Sequence, residues 1–156
     1  MDWLHQLITN RFLITGVSSW FVAQLAKTII HAIINKKLVL ERMVGDGGMP
    51  SGHSATVTSL AMISGFSFGF DSFQFAVTAL LAIIVCHDAM GVRLETGKQA
   101  QIINEMMEAF EVWTKKELPE VKLKEFVGHT PIQVIAGILL GVLNGCVMHF
   151  FVFPLF

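Results

Sequence analysis

Four apolar stretches, near 12–35, 55–70, 73–89 and 131–156, approach the roughly 20 helical residues that a bilayer core requires. The expected fold is therefore all-α: one integral membrane domain over 1–156, with about four transmembrane helices in a bundle. Composition agrees, with 53% hydrophobic and only 15% charged residues and a mean hydropathy of +0.62.

The second stretch is short and rich in Gly, Ser and Thr. Ala61, Ser64, Gly65 and Gly69 suit close helix packing, as do Gly137, Gly141 and Gly145 at four-residue spacing in the last stretch. This helix should be covered, either inside the bundle or by a second copy, so a homo-oligomer, most simply a two-fold dimer, is an expected arrangement. Residues 1–10 carry Asp2, no basic residue and no small-residue cleavage site, unlike a signal peptide. With Trp3, Leu4 and Leu7 they suit a short interfacial helix.

Between the last two stretches lies a polar segment from Gly91 to Gly128. Ile102, Ile103, Met106, Met107, Phe110 and Trp113 recur there at helical spacing, with Lys98, Glu105, Glu108 and Lys115 on other faces. An amphipathic helix near 98–117 is expected, lying on the membrane or over the bundle mouth and ended by Leu118-Pro119-Glu120.

Charge placement sets orientation. With four spans, Lys36, Lys37, Arg42, Arg93, Lys98, Lys115, Lys116, Lys122 and Lys124 share one side, and Arg11 stands alone on the other. The positive-inside rule puts the two cationic loops in the cytoplasm and both termini outside. A net charge of -1 without a basic, aromatic-studded run argues against a nucleic-acid partner. Cys86 and Cys146 sit in apolar runs without metal-ligand spacing and read as packing residues.

Three strings carry chemistry. Gly47-Gly48-Met49-Pro50-Ser51-Gly52-His53-Ser54 ends a polar loop and opens a helix, where free amides favour an anion and a serine and an imidazole lie on the same turn. Gly128-His129-Thr130-Pro131 opens another helix on the same side, so two histidines can meet across one site. Lys27 lies inside the first span, where an unpaired charge costs roughly 2.5–3.5 kcal/mol on insertion scales, and should face a polar interior or an anion, with Gln24 and His31 on its face. Arg42 and Arg93 flank the spans, where a guanidinium can give an oxyanion two parallel hydrogen bonds or simply snorkel to the membrane edge.

Together Pro50-Ser51-Gly52-His53, a lysine in the preceding helix, a later arginine and a late histidine resemble the type 2 phosphatidic acid phosphatase and vanadium haloperoxidase superfamily. Gly48 to Ala55, Asp88 to Arg93 and Gly128 to Pro131 look more closely like its divergent acid-phosphatase-related branch, and the match covers nearly the whole chain. The resemblance implies a metal-independent, cofactor-free phosphatase acting on a lipid phosphomonoester or diphosphate. It gives Lys27, Ser51, Gly52 and Arg93 the phosphate oxygens, makes His53 the acid for the leaving alkoxide, and makes His129 the nucleophile that carries a phosphohistidine. The alternative is a membrane protein that binds or transports a lipid phosphate without cleaving it. Departures are specific: Ile34 stands where the superfamily has its first arginine, leaving Arg42 as the candidate, and Gln133 stands where an aspartate orients the nucleophile, with Asp88 and Glu125 as other orienting candidates.

Overall fold

A computed structural model describes residues 2–37, 47–115, 122–125 and 127–155. Its elements are α1 (Trp3–Ile8), α2 (Arg11–Asn35), α3 (Gly52–Phe68), α4 (Phe73–Met90), α5 (Val92–Thr114) and α6 (Pro131–Val147). A wide π turn, Met148–Val152, and a tight 3₁₀ turn, Phe153–Leu155, follow α6. The described residues contain no strand, and the chain is an all-α membrane bundle.

The boundaries follow from local chemistry. Asn10 caps α2, its side-chain oxygen accepting from the Phe12 and Leu13 amides at 3.0 and 3.2 Å. Ser72 caps α4 through Phe75 N–H at 3.2 Å. Each such cap contributes about 1 kcal/mol. The short α1 carries Trp3, Leu4 and Leu7 exposed, as an interfacial helix would.

Three helical runs are long and apolar enough to cross a membrane: Arg11–Asn35, Phe73–Thr114 and Pro131–Val152. The fourth expected span, α3, has 17 residues and falls short of them. It is the axis of the bundle, with α2, α4 and α6 packed around it. Ser54, Ser59 and Ser64 point into these contacts and are buried, so a helix too polar to face lipid is shielded by its neighbours.

Close approach of α6 to α3 is built on the glycine ladder. A methyl group on Gly137 would lie 2.5 Å from the Ser51 carbonyl oxygen, and one on Gly141 2.5 Å from that of Ala55. One on Gly145 would meet Met62 Cβ at 2.6 Å. These three glycines, one of the two small-residue sets that could seat a second copy, serve packing inside the subunit. Polar cross-links tie both helices to α2: Asn144 of α6 donates to the Thr15 carbonyl (3.1 Å) and Ser18 (3.3 Å), and Ser59 of α3 donates to the Thr15 carbonyl (3.4 Å). At the far end aromatic rings close the bundle, with Phe12 stacked on Phe68 and Phe66 on His149.

The polar insert differs in detail from its expected form. Its helix begins at Val92, separated from α4 by Gly91 alone, and stops at Thr114, where Lys115 turns left-handed at φ 54°. The expected stop at Leu118-Pro119-Glu120 lies outside the described residues. The helix continues the run of α4 and is not packed over α3 and α6, and Ile102, Met106, Phe110 and Trp113 remain exposed. Its buried face, Gly97, Ala100 and Asn104, receives the returning chain. The Asn104 amide acts as a main-chain surrogate, accepting from Leu123 N–H (3.0 Å) and donating to the Leu123 carbonyl (3.0 Å) and Glu125 Oε1 (2.8 Å).

Candidate active site

The site is the end of the bundle where α3 and α6 begin and α4 ends. Ser51 opens α3 as its cap, and its backbone N–H donates to the Gln133 carbonyl at 2.9 Å, fixing the two helix starts together. His129 N–H donates to the Ala89 carbonyl at 2.9 Å, which ties the approach to α6 onto the last turn of α4. Just before it, Gly128 adopts φ +84° and lies so close to the Arg93–Leu94 backbone that a methyl would sit 2.4 Å from Leu94 N. Glycine is required there on both counts. Residues separated by the whole insert thereby become neighbours.

These contacts bring His53 and His129 within 6.2 Å, ring centre to ring centre, at an interplanar angle of 60°. His53 is exposed on the first turn of α3, whereas His129 is 4% exposed. Gln133 Oε1 lies 3.2 Å from His129 Nδ1 and accepts the Thr130 N–H at 3.2 Å. A backbone N–H can only donate, so the Gln133 atom between them is the oxygen and Nδ1 carries a proton. In the neutral ring the lone pair is then on Nε2.

Electrostatics favour that neutral ring. Burial holds the His129 pKa below its ordinary 6.5, helped by the positive charge of Lys27 and by His53; hydrogen bonds to Gln133 and the Gly48 carbonyl oppose the shift without cancelling it. Lys27 is buried, and its stem runs past Gly48, where a methyl would come within 3.2 Å of Lys27 Cγ. Gly48, at φ +82°, thus fits between Lys27 and His129.

Ser51 Oγ accepts from Ser54 N–H (3.4 Å) and from the Ser54 hydroxyl (3.0 Å). With both lone pairs engaged, its own proton is left to donate, which suits an oxyanion. Gly52 and His53, as the first residues of α3, add amides without intrahelical partners.

Other expected ligands stand apart. The Arg93 side chain turns to Asp88, Nε to Oδ2 at 2.6 Å, with both groups about half exposed. Asp88 is thereby engaged with Arg93, and Glu125 with Asn104, leaving Gln133 as the group that meets the His129 ring. Gln24 is buried on the Lys27 face and His31 half-buried. Arg42 lies outside the described residues. Sequence reasoning passed over Ser54, which directs the Ser51 proton, and Asn104, which anchors the return to His129. The signal for Asn104 was an amide on the apolar side of an amphipathic repeat; Ser54 had none beyond its place in the motif.

A bundle whose axis helix starts with Pro-Ser-Gly-His, facing a second histidine at the start of the last span, defines a membrane protein related to the type 2 phosphatidic acid phosphatases. Residues 8–144 match the Divergent PAP2 family, and the chain belongs to that family. It is 38% identical over 155 residues to a Bacillus subtilis (strain 168) protein described as "Uncharacterized membrane protein YuiD", covering 94% of this chain and 98% of that protein. No solved structure gives a significant match.

Proposed function

We propose that the chain is a membrane-embedded phosphatase that hydrolyses a lipid phosphomonoester or diphosphate through a phosphohistidine. The observation that carries this reading is the pairing of His53 and His129 at 6.2 Å, one imidazole exposed and the other buried with its Nδ1 proton held by Gln133. In the first step His129 Nε2 attacks phosphorus, the P–O bond to the lipid breaks, and His53 gives its proton to the departing oxygen. In the second, His53 takes a proton from water, whose oxygen attacks phosphorus, and inorganic phosphate leaves as the P–N bond breaks. Lys27, the Ser51 hydroxyl and the Gly52 amide neutralise the oxyanion throughout, with Arg93 joining once it leaves Asp88. General acid catalysis supplies about 10²- to 10⁴-fold and positioned charge much of the rest.

Gln133 beside the His129 ring adds no negative charge to stabilise an imidazolium, which favours a second reading in which the pocket holds a lipid phosphate without cleaving it. One experiment separates the two. Purified protein in detergent is assayed for phosphate release from phosphatidate, phosphatidylglycerophosphate and isoprenyl phosphates beside His129→Ala. Hydrolysis abolished by His129→Ala supports the phosphatase, and release that survives it refutes the mechanism. Saturable binding without release supports the carrier. The site faces the cytoplasm in this reading, since the cations outside the spans cluster on its side.

A further inference from the structure

We propose that the cleft between α2 and α4 seats one hydrocarbon chain of the lipid phosphate, with Gly16 setting how much of the chain it accepts. This rests on the phosphatase reading and adds where the apolar part of the substrate lies.

Three helices pack on α3, but α2 and α4 are not packed on each other, so one flank of α3 stays open to the surrounding lipid. A cavity of about 360 Å³ occupies that flank, walled by Gly16 and Trp20 of α2, His53, Thr56 and Val57 of α3, and Val85 of α4. Its wall is apolar throughout. Even Thr56 conforms: its hydroxyl donates to the Gly52 carbonyl at 2.8 Å, and its methyl lies 3.6 Å from where a side chain on Gly16 would begin.

His53 belongs both to this cavity and to the histidine pair, so whatever fills the cavity presents its head to the proposed acid. The two walls run in step. From His53 to Val57 on α3, and from Trp20 to Gly16 on α2, the chain descends one turn, about 6 Å, away from the end where Lys27 and His129 lie. Trp20 packs over Gly52, placing an indole at the junction of polar site and apolar cleft, the depth such rings favour. At roughly 30 Å³ per water-sized group the cavity takes about a dozen methylenes. A single chain fits that shape, and hydrocarbon is what the open flank faces.

Gly16→Leu would fill the lower end. A chain that meets this side chain must shift along the cleft and carry its head with it, and a displacement near 1 Å at the reacting centre costs about 10²-fold in rate, so a loss of about tenfold or greater is predicted. Two measurements decide the matter, both in nanodiscs. In the first, kcat/KM on dihexadecanoyl phosphatidate should fall at least about tenfold in Gly16→Leu, and less than about threefold on dihexanoyl phosphatidate; equal losses on both overturn the proposal. The second does not require turnover. In a Trp3→Phe/Trp113→Phe background, a brominated phosphatidate should quench Trp20 more than brominated diacylglycerol at the same mole fraction, and Gly16→Leu should remove the excess. Equal quenching by the two lipids overturns the cleft as a substrate seat, whereas an inactive wild type that shows the excess overturns the phosphatase reading and leaves the seat standing.

Discussion

Replacing Gly137 by alanine should separate α6 from α3 at the point where both histidines are positioned. The added methyl would sit 2.5 Å from the Ser51 carbonyl oxygen and 3.0 and 3.2 Å from the Ser54 and Ser51 Cβ atoms. Ordinary van der Waals contact begins at 3.4 Å, so α6 must retreat by about 0.9 Å. Neither obstacle can rotate away, because one is main chain and the others are the first side-chain atoms of a helix. Overpacking of this kind costs about 1–3 kcal/mol of stability, and a misplacement near 1 Å in a catalytic constellation costs about 10²-fold in rate. Gly16→Ala is the control, since its methyl would meet only Thr56 Cγ2 at an ordinary 3.6 Å, and alanine gains roughly 0.5–1 kcal/mol over glycine within a helix. Thermal unfolding of both variants in one detergent, with phosphate release measured alongside, tests the argument. A Gly137→Ala protein as stable as Gly16→Ala and as active as the parent would show that the α3–α6 distance does not set the site.

Gln133→Leu should lose most phosphate release by freeing the His129 tautomer, whereas Gln133→Glu, by adding a negative charge beside Nδ1, should raise the His129 pKa and move the acid limb of the kcat/KM profile to higher pH; coincident profiles would refute that assignment. Since burial lowers the folded-state pKa of His129 below 6.5, the unfolded chain binds more protons just beneath that pH. Stability is therefore expected to be full above pH 6.5 and to fall as pH drops through it toward the lower folded value, a slope that His129→Asn should flatten in a pH series of unfolding scans. Asp88→Asn breaks a half-exposed pair contributing about 0–1 kcal/mol, so stability should hold while KM for a lipid phosphate falls as Arg93 is released; an unchanged KM would leave Arg93 outside the site. Asn104→Ala removes three hydrogen bonds to the returning chain and should speed hydrogen exchange at residues 122–125, with no change there counting against the clamp.

The sequence by itself determined the class of fold, because long apolar runs admit few solutions in a bilayer and the small residues at 137, 141 and 145 already mark a face of close approach. It determined the chemistry on offer as well: a helix beginning Ser51-Gly52-His53 exposes amides, a hydroxyl and an imidazole on one turn, whatever else the chain does. Tertiary structure alone decided that the shortest and most polar span is the axis of the bundle, since burial of Ser54, Ser59 and Ser64 depends on three neighbours that no local pattern specifies. It decided the company of His129 too. Glu125 and Asp88 were equal candidates beside Gln133 by composition, but Asn104 takes Glu125 and Arg93 takes Asp88, while the turn at Gly128 and the Ala89 carbonyl aim the ring at Gln133. The aim of His129 rests on main-chain contacts between residues more than 30 positions apart, where Gly128 lies against Arg93 and His129 N–H meets the Ala89 carbonyl, and separations of that kind leave no periodic trace along the chain.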